Sequence, residues 1–158
     1  MKPTVYMMLG LPGSGKTTFS KSLQKELTIP RLSLDEVYSE LGGDLTSTKW
    51  DMDIESEAHQ LIKNHIKEFV DRGTSVILDF CPWKKCKRHS YREYIHFIGA
   101  KSHLYYFDVP IDELIRRLQE RNTTPSSQAH TVTPDMLNAF TARFDPPYNE
   151  EYERVETK

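Results

Sequence analysis

Residues 8–23 read MLGLPGSGKTTFSKSL, and Gly10, Gly15, Lys16 and Thr17 within them meet the spacing G-x-x-x-x-G-K-[ST]. Glycines let the backbone turn so that successive N–H groups face inward, forming a nest for phosphate oxygens. A helix beginning at Lys16 adds the positive end of its dipole. The pattern assigns Gly10, Pro12, Gly13, Ser14, Gly15, Lys16, Thr17 and Thr18 to a nucleoside triphosphate. Lys16 reaches the β- and γ-phosphates, and the Thr17 hydroxyl ligates Mg²⁺. ATP and Mg²⁺ are the expected cofactors.

The loop alone does not say what becomes of the γ-phosphate. The sequence lacks the guanine-reading N-K-x-D of a switch GTPase, and 158 residues leave no room for the coupling domains of a mechanical ATPase. A small transferase needs an acceptor base and an arginine lid. Asp35, at the end of a short apolar run, can take a substrate hydroxyl's proton, and it equally suits the N-cap of a helix over 36–41. Asp79 follows SVIL and reads either as a turn residue or like the acidic residue that steadies magnesium in phosphate-loop proteins; Asp108, before Pro110, reads as a turn residue. Arg117 and Arg121 lie one turn apart on one face, placed to hold a transferring phosphoryl group, while Arg116 reads as solvated. The run WKKCKRHSYR (83–92) packs Lys84, Lys85, Lys87, Arg88 and Arg92 together, either as a solvated face or as a receiver of an anionic acceptor. Trp50 and Trp83 suit either an acceptor ring or the core, and His65 falls on an apolar helical stripe as a core residue.

The elements that must position these groups follow from periodicity. Apolar runs at 4–9, 31–34, 75–80 and 102–109 read as strands, with a further segment at 152–157. Amphipathic helices are expected over 16–27, 53–72, 83–98, 110–121 and from Pro134 to about 144. Alternation of this kind means a parallel sheet covered on both faces, in one α/β domain over 1–158. The polar, aperiodic stretch 122–133 is the expected lid. Net charge is −2, against a dedicated nucleic-acid binder, and no stretch approaches membrane-spanning length. Two cysteines, Cys81 and Cys86, and no secretory pattern suit a reducing cytoplasm.

GLPGSGKTT, LSLDEVY, VILDF, YYFDVPIDELIRRLQERN and VTPDMLNAFTARFDPP occur in an order that resembles a family of small P-loop kinases. That family groups with bacteriophage polynucleotide kinase and, more distantly, with zeta-type toxins and chloramphenicol phosphotransferase. The resemblance implies a five-stranded parallel sheet of order 2-3-1-4-5, with 152–157 as its fifth strand. It also implies Asp35 as general base, Arg117 and Arg121 as lid arginines on the donor phosphates, and FDPP at the adenine end. Polynucleotide kinases commonly keep an arginine shortly after the base, whereas Glu36, Val37, Tyr38 and Glu40 stand here. The expected activity is transfer of the γ-phosphate of ATP to a hydroxyl of a small molecule or nucleotide. A polynucleotide 5′-kinase and a non-catalytic ATP sensor are the alternatives; no protein partner follows from the sequence.

Overall fold

The computed structural model describes residues 1–47, 49–123 and 132–157. In chain order the elements are β1 (Thr4–Gly10), α1 (Lys16–Leu27), β2 (Arg31–Leu32), α2 (Leu34–Glu40), α3 (Met52–Asp71), β3 (Val76–Leu78), α4 (Lys85–Phe97), β4 (Lys101–Phe107), α5 (Ile111–Thr123), α6 (Pro134–Arg143) and β5 (Glu153–Arg154). The five strands form one sheet in the order β2-β3-β1-β4-β5, and every neighbouring pair is parallel. The expected fold class and strand order are what the chain adopts.

β1 runs through the middle of the sheet, and its alternation feeds two helix layers. Val5, Met7 and Leu9 point to one face, where they pack with Ile62 and Ile66 of α3 and Ile95 of α4. Met8 points to the other, with Leu23 of α1 and Phe107 of β4. Side chains buried this fully contribute roughly 1.5–3 kcal/mol each. In α3 the buried stripe is Ala58, Ile62, Ile66 and Val70, four apart throughout. His65 lies about 100° off that line. Its side chain is 46% exposed and sits 3.8 Å from Glu68, so it is not the core residue expected. Gly73, just past the end of α3, stands in the left-handed region at φ 74, where a glycine suits a helix stop.

Several boundaries move, and one move concerns function. β2 is two residues long because the Ser33 side chain caps α2, accepting from the Glu36 N–H. Asp35 therefore stands in the first turn of α2, neither ending a strand nor capping the helix. β3 stops at Leu78, leaving Asp79 and Phe80 beyond it; β4 spans Lys101–Phe107, with Asp108 just past it. α4 starts at Lys85, three residues after Pro82. α5 runs to Thr123, so two residues expected in the lid are helical. Residues 124–131 of that lid lie outside the described residues. Its two stems are clasped by Asn122 Nδ2 donating to the carbonyl of Val132 at 3.0 Å. β5 keeps two residues of the expected 152–157.

Candidate functional site

The loop between β1 and α1 is shaped by close approaches that only glycine tolerates. A Cβ at Gly10 would meet Ser14 Oγ at 2.6 Å and Phe107 Cβ at 2.9 Å. Gly13 and Gly15 stand at φ +82 and +96, the left-handed region that excludes most side chains. Gly15 is the N-cap of α1, and no side chain caps that helix. Its first turn also carries no acidic residue, the type a helix start usually favours. The leading N–H groups and the dipole are thus left to a ligand anion. Ser14 Oγ is buried without a hydrogen-bond partner, and Thr17 and Thr18 are exposed at the helix start.

Lys16 folds back over this loop, with Nζ donating to the carbonyls of Gly10 at 2.8 Å and Leu11 at 3.0 Å. Burial pulls its ammonium down to about 8, held up by Asp79 and Asp35 and lowered further by Arg121. Asp79 follows β3, Asp35 opens α2 and Arg121 lies in α5, so the fold gathers charges from four distant segments. Burial also pushes the Asp79 carboxyl up, opposed by Thr17, Arg31, Lys16 and Ser20. Arg121 is pulled down by burial and supported by Asp35.

A pH dependence follows from Lys16. Between pH 8 and 10.5 the unfolded chain binds this proton and the ligand-free fold sheds it, so this residue's contribution to stability rises with pH across that window. Affinity for ATP, the expected cofactor, should move the other way, because only the ammonium pairs with phosphate. Calorimetry from pH 7 to 9 is expected to show Kd rising about tenfold, with proton uptake on binding. Lys16→Met is expected to flatten the curve; an unchanged slope in that variant would refute the assignment.

The donor set fits a magnesium ion. Asp79 Oδ2 is fixed by Arg31 Nη1 at 2.8 Å, while buried Oδ1 has no hydrogen-bond partner. Arg31 Nη2 meanwhile donates to Glu36 at 2.7 Å. An unpartnered carboxylate oxygen near the Thr17 hydroxyl is a suitable acceptor for a metal-bound water. No three His, Cys, Asp or Glu side chains cluster as a cage among the described residues. Magnesium is usually held by one or two protein oxygens plus substrate phosphates.

Arg117 donates to Glu113 (2.8 Å), to the carbonyl of Gly13 (3.4 Å), and to both the hydroxyl (2.8 Å) and carbonyl (2.7 Å) of Thr157. Thr157 in turn donates to the carbonyl of Ser14 at 2.8 Å. Arg117 is thereby a strut behind the loop. Arg116 pairs with Glu113 and Glu120 on the surface, as its solvated reading expects. Trp50 stacks on Tyr38 at 4.0 Å, and Trp83 packs on Phe140 at 5.0 Å, so both serve packing.

Within 83–92, Arg88 is fully buried and makes a two-pronged bond to Glu150, which also accepts from Arg92 at 3.0 Å. Two of the five cations of that run therefore face inward. The FDPP segment, which the resemblance puts at the adenine end, anchors α4 through Asp145 Oδ2, which accepts from the Lys85 N–H at 3.0 Å. Sequence reading missed the Glu150 and Thr157 contacts, because partners 40 to 143 positions apart leave no local pattern.

The sequence has no match among curated proteins. Among solved structures it is similar to a chain of the Pnkp1/Rnl/Hen1 RNA repair complex, with TM-score 0.75 and 19% identity. That alignment covers 89% of this chain and 43% of the other, so this chain spans under half of that relative's length. A sugar kinase from Janibacter sp. HTCC2649 superposes with TM-score 0.68 at 17% identity, covering 98% and 85% of the two chains. The Mycobacterium tuberculosis APS kinase CysC, in complex with AMPPNP and APS, gives 0.66 at 18% identity, covering 98% and 88%. No helix among the described residues is long and apolar enough to cross a membrane. A family profile described as an AAA domain matches residues 5–147, from β1 to beyond α6. A match over that much of the sequence, on this sheet order, means that the chain belongs to the AAA-domain family and has the fold of a P-loop kinase.

Proposed function

We propose that the chain is an ATP-dependent kinase that moves the γ-phosphate to a hydroxyl of a small molecule or nucleotide. The observation that carries this is the convergence of Asp35, Asp79 and Arg121 on the Lys16 ammonium, beside a helix start left open to an anion. The loop N–H groups and Lys16 hold the β- and γ-phosphates. Thr17 and Asp79 would hold Mg²⁺, which would supply positive charge to the phosphates. Asp35 takes the acceptor proton as the new phosphorus–oxygen bond forms and the bond to the β-phosphate oxygen breaks. Arg121 neutralises charge on the transferring group.

Transfer from labelled ATP to nucleosides, oligonucleotide ends, sugars and aminoglycoside-like compounds tests this. Asp35→Asn is expected to lower transfer about 10²–10⁴-fold while ATP still binds. Comparable transfer in that variant would remove Asp35 as base. A polynucleotide 5′-kinase finds less support, because Arg88 and Arg92 are engaged by Glu150 and cannot track a strand. An ATP sensor would not need Asp35 next to Lys16.

A further inference from the structure

The wall between α3 and α4 carries a polar chain that the phosphate half of the site does not use. His59 Nδ1 and the Tyr91 hydroxyl lie 2.6 Å apart, and His59 Nε2 lies 3.9 Å from Oε1 of Glu55 one turn earlier. Tyr91 is 5% exposed, and burial pushes its hydroxyl well up, so it stays a phenol hydrogen-bonded to Nδ1. Nε2 faces the Glu55 carboxylate, so the tautomer that serves both contacts carries its proton on Nε2 and accepts from the phenol at Nδ1. Glu55 is held below its ordinary value, first by His59 and more weakly by Lys87 on α4. The chain runs from a buried phenol to an ionised carboxylate whose side chain is 41% exposed.

Its position matters as much as its chemistry. The His59 ring packs edge-on against Phe80 at 5.7 Å, and Phe80 follows Asp79 directly. α3 begins at the carboxyl end of the sheet, the end where α/β folds gather ligands and where Asp35 and Asp79 stand. Residues 35–57 hold eight acidic side chains and one basic one, Lys49. An anionic acceptor would enter against that charge, whereas a carboxylate accepts well from neutral hydroxyls.

Resting on the kinase reading above, we propose that Glu55 is an acceptor-binding residue and that His59 and Tyr91 are its positioning residues. The acceptor class is an uncharged compound with neighbouring hydroxyls, the vicinal diol shared by free sugars and nucleosides. One Glu55 oxygen faces the His59 ring at 3.9 Å, and the remaining lone pairs receive the diol, as acidic residues receive ribose hydroxyls elsewhere.

Steady-state transfer from ATP to D-ribose, adenosine, 2′-deoxyadenosine and a 5′-hydroxyl oligodeoxynucleotide decides the matter, with the two diol compounds separating a sugar from a nucleoside. The expected result is turnover of ribose or adenosine, with kcat/KM at least about tenfold lower for the other two. Glu55→Gln is expected to raise the acceptor KM about 10–100-fold and to leave the ATP KM within about twofold. Tyr91→Phe is expected to raise the same KM about 3–10-fold with kcat nearly unchanged, a split that a general loss of structure would not give. An unchanged acceptor KM in Glu55→Gln, or preferred turnover of the oligonucleotide, overturns the diol subsite and leaves the kinase reading standing. Absence of any Asp35-dependent transfer to these or the wider panel overturns both.

Discussion

Arg121→Ala is expected to lower phosphoryl transfer about 10³–10⁵-fold, the range over which one arginine on a transferring phosphoryl group acts. Its charge is felt at Lys16 and is supported by Asp35, the two residues proposed to serve the donor and the acceptor. Arg117, one turn earlier, has its guanidinium on Glu113, Gly13 and Thr157. Arg117→Ala should therefore act through the shape of the loop, raising the ATP KM with a much smaller loss of kcat. Steady-state transfer by the two variants separates these roles. If Arg117→Ala loses as much kcat as Arg121→Ala, the strut assignment fails and both arginines act on the phosphates.

The largest effect on stability is expected at Glu150. Its side chain is 6% exposed and faces Arg88, which is fully buried and donates further to the carbonyls of Pro82 and Trp83. Glu150→Ala leaves that guanidinium in the interior without its counter-charge, a loss of about 3–5 kcal/mol. Domains of this kind have only about 5–15 kcal/mol in total. The corresponding fall in Tm is roughly 6–20 °C. Urea unfolding of the wild type, Glu150→Ala and a paired Arg88→Met, Glu150→Leu variant checks this. The pair should recover much of the loss, because it removes both buried charges together. If the single variant is within about 1 kcal/mol of wild type, the buried pair does not hold this part of the fold.

The features legible in the sequence are those written in neighbouring residues. Three glycines, a lysine and two threonines between an apolar run and a helical stripe specify a strand, a phosphate loop and a helix start, and β1 and α1 follow that reading closely. α3 was equally legible, since 58, 62, 66 and 70 repeat at helical spacing. Side-chain networks were not. Nothing near Arg88 marks it as an inward cation, because its partner lies 62 residues on. Asp35 was found as a candidate but misplaced by one element, since Ser33 competed successfully for the cap. The Glu55–His59–Tyr91 chain joins two segments that sequence reading treats separately, and it exists only once α3 and α4 are side by side.

The placement of β1 has a consequence for how nucleotide binding would be detected. It is hydrogen-bonded to β3 on one side and to β4 along its whole length on the other, with Gly10 opposite Phe107. Amides at such a centre exchange with solvent mainly through global opening, whereas two-residue edges such as β2 and β5 open locally. The loop over residues 11–15 grows directly from that central strand. Occupancy of the loop should thus register as slower deuterium uptake across the middle of the sheet, far beyond the residues that touch the ligand.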